Sequence, residues 1–215
     1  KATCPAHISI PGFVSAIAEE RDEEWLKLIK EEMPFPGICG RICPHPCEEE
    51  CLRGNKVDQP IAICALKRFV ADYEVGKREV PVPEPGPDKG KSVAIIGGGP
   101  AGLTCAIEMR KAGYRVTIFE AHDKLGGMLY VGIPAYRLPK EELAREVAIV
   151  EKMGIEVRFN TKVGRDISIK DIQGSFDAVF VAVGAHLGRS LGLPNEDAQG
   201  VLSGLDFLRS VVVGS

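Results

Sequence analysis

The sequence has no basic run and no apolar stretch of membrane length. Lysine and arginine number 27 against 30 acids, giving a net charge of −3 and a pI near 5.9. Nothing in that balance can track a phosphate backbone, so nucleic acid is not an expected partner. The longest apolar run, Ala178 to Ala185, has the length of a strand. It falls far short of the ~18 residues a bilayer span needs, so no membrane partner is expected either. The first residues, Lys1-Ala2-Thr3-Cys4-Pro5, form neither a leader nor an initiator methionine, and the chain is read as starting inside a longer one. No internal repeat is visible. Nothing marks a general acid, base or nucleophile, so no catalytic side chain is expected.

Cysteine and proline are scarce in the second part of the chain. Only Cys105 among seven cysteines follows residue 64, and only four of fifteen prolines follow residue 90. Two compositions are therefore joined. Residues 1–80 read as a helical cysteine-bearing domain, 81–91 as a proline-rich linker, and 92–215 as an α/β domain rich in Gly, Val, Ile and Ala. An odd cysteine count with no sign of export disfavours a disulfide framework. It points to a reducing, cytoplasmic setting in which clustered thiols bind metal.

Three helices are expected in the first domain. Pro11 suits the first turn of one that carries Phe13, Val14 and Ile17. Asp22 is expected to cap a second, with Trp25, Leu28 and Ile29 on its apolar face and Pro34 and Pro36 at its end. A third runs from about Ile61 to Val75, with Ile61, Ala65, Phe69 and Tyr73 at helical spacing as its apolar stripe.

Between the last two, Cys39, Cys43, Cys47 and Cys51 recur every fourth position. On one straight helix they would span ~18 Å, too far for one centre. Pro44 and Pro46 break that helix and bend the thiols round, although Cys47 and Cys51 can still share a helical turn. Iron–sulfur ligation is the favoured reading, since Cys4 and Cys43 each precede proline. Structural zinc and inert buried thiols compete with it. His7 and His45 are close enough to ligate but read as loop histidines.

In the second domain Ser92–Ile96 reads as a buried strand, Gly97-Gly98-Gly99-Pro100-Ala101-Gly102 as a turn, and the residues up to Gly113 as a helix. A second strand, Arg115–Phe119, ends at Glu120. Strand, G-x-G-x-x-G, helix, strand and acid together mark a dinucleotide site. The glycines admit a pyrophosphate and Glu120 can accept from a ribose. FAD and NAD both use this unit; Lys124-Leu125-Gly126-Gly127-Met128 tips the reading to FAD. Further on, Leu143, Val147 and Val150 lie on one helical face ending at Gly154. Ile155–Phe159 and Ala178–Val183 read as strands. Cys105 reads as a core thiol, and His122 and His186 have no visible partner.

Taken together, these motifs resemble the flavin-containing small subunit of bacterial glutamate synthase and its relatives. Those include the N-terminal part of dihydropyrimidine dehydrogenase and the larger subunit of electron-bifurcating ferredoxin–NADP reductases. The marks are Cys4-Pro5-Ala6 with Ile10-Pro11-Gly12-Phe13, the stretch Gly40 to Cys51, the Gly97–Leu103 turn, and Gly132-Ile133-Pro134-Ala135-Tyr136-Arg137-Leu138-Pro139.

The resemblance implies a helical double-[4Fe–4S] domain followed by a partial Rossmann-like FAD-binding domain. It puts cluster ligands at Cys4, Cys43, Cys47 and Cys51, with further ligand cysteines upstream of Lys1. Some relatives finish the second cluster with Gln or Glu on the next helix; here Lys67 stands near that place, and a protonated lysine is no ligand. Cys39 and Cys64 are therefore candidates for the vacancy. FAD contacts are implied at Gly97, Gly99, Pro100, Ala101, Gly102, Glu120, Gly126, Gly127, Arg137 and Val163. A guanidinium at Arg137 can hold pyrophosphate oxygens; the alternative is a surface arginine beside Glu141 and Glu142.

Complete relatives carry an NADPH domain after the position of Leu208, so NADPH is expected to bind only in the complete protein. There, the resemblance implies, nicotinamide hydride reduces FAD, and single electrons pass through the clusters to a partner subunit or domain. A docking module stabilised by zinc or by a cluster is the alternative.

Overall fold

In the computed structural model the described residues are 3–77 and 82–213; for residues 75–77 the backbone alone is described. Lys1, residues 78–81 with Pro81 of the expected linker, and Ser215 lie outside them. The chain divides into two compact units, Lys1–Val82 and Pro83–Ser215.

The first unit is wholly helical among its described residues. It contains α1 (Ile10–Ala18), α2 (Asp22–Lys30), α3 (Pro36–Ile42), α4 (Pro46–Glu49), α5 (Leu52–Lys56) and α6 (Ile63–Lys77). Proline opens α1, α3 and α4 within the first two positions, where its missing N–H costs nothing. Pro36 thus starts a helix as well as following one. Asp22 is not the cap of α2. Arg21 takes that position, its N–H held by Ala16 O at 2.8 Å. Asp22, Glu23 and Glu24 fill the first turn, where acids favour the helix dipole.

Phe13, Ala16, Trp25, Ile29, Phe35 and Ile38 build the core with α6. The inward face of α6 differs from expectation. Ile63, Lys67, Val70, Ala71 and Glu74 are buried, while Ala65 and Phe69 are exposed and Ile61 precedes the helix. Hydropathy pointed to the wrong stripe because two buried positions are charged and satisfied by partners. The Glu74 carboxylate accepts from Lys30 Nζ at 2.9 and 3.0 Å. Phe69 and Tyr73 instead pack edgewise on Trp25, with ring centroids 6.2 and 5.5 Å away.

The second unit holds β1 (Ser92–Ile96), α7 (Pro100–Lys111), β2 (Arg115–Phe119), α8 (Met128–Val131), α9 (Lys140–Val147), α10 (Ile149–Lys152), β3 (Glu156–Arg158), α11 (Ile169–Ser175), β4 (Ala178–Val181) and α12 (Gly204–Val213). The strands form one parallel sheet in the order β3-β2-β1-β4, with Ile95 of β1 opposite Ile118 on one side and Phe180 on the other. Parallel neighbours require crossovers, which α7 supplies between β1 and β2. On one face Ala94, Ile96, Phe119 and Ile172 form a cluster, with Val163, Ile167, Phe176 and Val179 against it.

Three expectations change here. The helix drawn through Leu143, Val147 and Val150 breaks at Ala148 into α9 and α10, with no proline or glycine to announce it. The last strand stops at Val181, short of Val183. Residues 83–91 are not a free connector but part of the second unit. Gly86 N donates to Arg110 O (3.2 Å), Lys89 N to Gly113 O (2.9 Å) and Arg115 N to Lys91 O (3.0 Å).

Candidate functional site

The first unit gathers thiols round a lysine. Cys39 lies on α3 and Cys43 is its C-terminal cap in extended conformation, because Pro44 cannot continue a helix. His45 then adopts left-handed φ of 45°, reversing the chain so that α4 presents Cys47. Helix α4 ends at Glu49, so Cys51 is not one turn further along it but caps the N-terminus of α5. Cys64 and Lys67, three residues apart, share the inner face of α6.

The Lys67 ammonium, buried, donates to Cys39 Sγ at 3.1 Å. Burial alone would push its pKa down; the charges of Cys39, Cys43 and Cys64 outweigh that and hold it above the usual lysine value. Burial pushes the Cys39 thiol up, against the pull of Lys67. Burial also raises Cys47, helped by Cys43 and Cys4, and raises Cys64, again opposed by Lys67. Cys4, Cys39, Cys43, Cys47 and Cys64 thus lie within one another's or Lys67's electrostatic reach.

Cys51 differs: backbone N–H groups of Ile61 and Gly54 point at its sulfur and draw its pKa below the ordinary thiol value. No cysteine is in a disulfide. Among the described residues no three His, Cys, Asp or Glu side chains converge on a single ion position. A cubane does not ask for that, since each of its irons takes its own ligand.

Cys64 is less free than Cys39: its Sγ donates to Gly40 O at 3.3 Å and its N–H to Glu48 Oε1 at 2.7 Å. The His45 ring turns to Glu48, 3.6 Å away, while its backbone N–H donates to Cys43 Sγ at 3.3 Å. His7 is exposed.

In the second unit a double glycine cradle stands at the tips of β1 and β2. Gly97 has φ of 107°, and a Cβ there would meet Ala182 O at 2.4 Å. A Cβ on Gly102 would sit 2.0 Å from Gly97 O, so only glycine lets α7 start this close to the strand. Gly98 N donates to Glu120 Oε2 at 2.7 Å, and His122 N to Glu120 Oε1 at 2.9 Å. The buried carboxylate expected to meet a ribose therefore already braces two loops. Each oxygen retains acceptor capacity for one further donor.

The Gly126-Gly127 loop docks onto the first: Gly126 N donates to Gly98 O at 2.8 Å, and a Cβ on Gly127 would meet Gly99 Cα at 2.9 Å. A Cβ on Gly99 finds only Gly127 Cα, 3.9 Å away. It would point into the open space between the loops. Pro100 and Ala101 are exposed at the mouth, and no side chain caps α7. Its first amides are left for an anion. These donors and this space fit a dinucleotide pyrophosphate.

Arg137 is exposed and, among the described residues, its guanidinium makes no ion pair; Glu142 pairs with Arg145 instead. Val163 has its side chain in the hydrophobic cluster under β1. Cys105 is half-buried, its thiol pKa raised by burial. His122 and His186 prove to be neighbours, with ring centroids 6.4 Å apart, and Arg209 Nη2 lies 3.2 Å from His186 Nδ1. Sequence reading missed Gly98 as the amide partner of Glu120 and Lys67 as a thiol partner. The i, i+3 spacing of Cys64 and Lys67 was the available signal for the latter.

Comparison with known proteins agrees with this layout. Residues 1–79 match the family described as dihydropyrimidine dehydrogenase domain II, 4Fe-4S cluster. Residues 95–132 match the NAD(P)-binding Rossmann-like domain. The chain is 46% identical to NADPH-Fe(3+) oxidoreductase subunit beta of Geobacter sulfurreducens, over 98% of its own length and 32% of that protein. It is 45% identical to NADP(+)-dependent formate dehydrogenase subunit beta of Moorella thermoacetica, over 97% and 32%. Against glutamate synthase [NADPH] small chain of Escherichia coli the figures are 39%, 95% and 44%. The chain therefore spans between 32% and 44% of the length of these relatives.

Among solved structures, FprA, a Mycobacterium tuberculosis oxidoreductase solved with covalently modified NADP+, matches 56% of this chain and 28% of its own, at 26% identity and a TM-score of 0.51. The architecture is a helical 4Fe–4S-type domain followed by a Rossmann-like nucleotide-binding domain.

Proposed function

We propose that this chain, related over nearly its whole length to glutamate synthase small chains and NADPH-Fe(3+) oxidoreductase beta subunits, is the electron-transfer portion of a NAD(P)H-dependent flavin and iron–sulfur oxidoreductase. The observation that carries it is the gathering of Cys4, Cys39, Cys43, Cys47 and Cys64 with a buried lysine, free of disulfides, in a chain that also holds an open glycine cradle. Cys4, Cys43 and Cys47, with Cys39 in the fourth place, form one thiolate set for a [4Fe–4S] cluster; Cys64 is the other candidate for that place. Cys51, with its own amide donors, serves a second.

The cradle takes FAD. Support comes from the Gly126-Gly127 loop, which closes on Gly99 and forms a second wall for the phosphates. The α7 amides and the Gly97–Gly102 backbone hold the pyrophosphate, and Glu120 presents acceptors beside them. Arg137, exposed and without an ion-pair partner among the described residues, is available to phosphate oxygens. When bound, flavin and clusters supply two-electron and one-electron chemistry respectively. The chain positions them and sets their surroundings. NADPH binds in the complete protein, electrons leave to a partner subunit or domain, and the setting is the cytoplasm. Among the described residues no helix is long and apolar enough to cross a membrane.

The test is anaerobic purification of the full-length protein with analysis of iron, sulfide, zinc and extracted nucleotide. Iron, sulfide and FAD are expected. Serine at Cys43, Cys47 or Cys51 should each lower the iron content, and Cys105→Ser should not. A colourless protein holding zinc, or a cradle that retains only a nicotinamide nucleotide, refutes the reading.

A further inference from the structure

We propose that Lys67 is a positioning residue of the thiol pocket, setting the reduction potential of the cluster held there by placing a full positive charge against its sulfur cage. The inference rests on the cluster reading above and goes beyond it.

Lys67 is unusual for a lysine. Its side chain is buried, and lysines are almost never fully buried unless paired. Yet among the described residues no carboxylate lies within ion-pair distance of it. Glu48, the acid of the same pocket, spends its oxygens on the Cys64 N–H and the His45 ring. The acids of α6 are equally committed: Glu74 to Lys30, and Asp72 to Arg41 at 2.7 Å. What the ammonium does meet is sulfur, Cys39 Sγ at 3.1 Å, with Cys64 three residues back on the same helix.

Desolvating a lone ammonium is costly, so such a site persists only when negative charge compensates it. A cluster with its thiolates is anionic and gains a further negative charge on reduction. A fixed positive charge stabilises the reduced form more than the oxidised form, in a pocket where burial keeps solvent screening weak. Net charge and hydrogen bonds to sulfur are the protein's established means of moving cluster potentials. Lys67 supplies both from one atom. Its stem is fixed by the α6 backbone, which lies close against α3: a Cβ on Gly40 would meet Arg68 Cα at 2.8 Å.

The experiment uses the full-length protein with Lys67→Met, which keeps length and loses charge, and Lys67→Arg, which keeps charge. Each is analysed for iron and sulfide and then titrated electrochemically with electron paramagnetic resonance detection. In Lys67→Met one cluster signal should move to lower potential by about a tenfold change in its reduction equilibrium, which for one electron is ~59 mV. The signal of the second cluster should stay in place, and Lys67→Arg should remain near wild type. If Lys67→Met loses its iron while Lys67→Arg keeps it, the charge is needed to assemble the cage, which also supports the proposal. An iron-replete Lys67→Met with unchanged potentials overturns it, and so does loss of iron from both variants. A wild-type protein without iron or sulfide would refute the cluster reading itself.

Discussion

At the scale of single residues, the glycines of the cradle separate into two kinds. Gly102 is demanded by the fold, because a methyl group there would lie 2.0 Å from Gly97 O. Gly99 is not: its φ is −80° and ψ −178°, ordinary extended backbone, and its Cβ direction is open. Alanine at 102 should therefore cost about 3 kcal/mol or more of stability, as overpacking against rigid backbone does, read by urea unfolding. Alanine at 99 should leave unfolding within about 0.5 kcal/mol of wild type while lowering flavin retention in the full-length protein. Equal destabilisation by both would contradict this division.

The G-x-G-x-x-G string and Glu120 were legible because their spacing is local. What Glu120 does before any ligand arrives was not. Its bonds to Gly98 and His122 join segments whose proximity only the folded sheet creates. The His122–His186 neighbourhood was hidden for the same reason.

At the scale of elements, α3 against α6 is the contact that places Cys39, Cys43, Cys64 and Lys67 together. Gly40 makes the close approach possible. Valine at 40 should push the helices apart, cost about 1–3 kcal/mol, and lower the iron content measured after anaerobic purification. Unchanged iron would show that the approach is not needed for the site. The helices themselves were partly readable. Proline placed α1 correctly, and the continuous apolar run from Ala178, of strand length, gave β4.

The inward face of α6 was misread because its stripe carries Lys67 and Glu74, which look like surface residues until their partners are seen. Helix α11 escaped notice although it carries a cap signal, Ser168 Oγ accepting from Asp171 N at 3.1 Å. The break at Ala148 has no signal in composition at all.

At the scale of the whole chain, the division at Val82 and Pro83 predicts two separable unfolding events. Cluster binding stabilises only the unit that binds it. Removing iron with an anaerobic chelator should lower the melting transition of the first unit and leave the transition of the second in place, as followed by calorimetry. A single transition that shifts as one would show that the units unfold together. The two-part layout was legible from composition, since cysteine and proline crowd one side of it. The exact join was not, because residues 83–91 look like a tether and are bound to α7 and β2 by backbone hydrogen bonds that composition does not encode.

The sheet of the second unit has unlike rims. At β3 the outward residues are Glu156 and Arg158, paired at 2.8 Å, and charge of that kind discourages a stray strand from adding. At β4 the sequence is Ala178-Val179-Phe180-Val181, with Phe180 and Val181 exposed and, among the described residues, the backbone pairing only toward β1. Growth of the sheet is thus one-sided. Lysine or proline at Val181 or Val183 is therefore expected to act as gatekeeper against self-association of these 215 residues expressed alone.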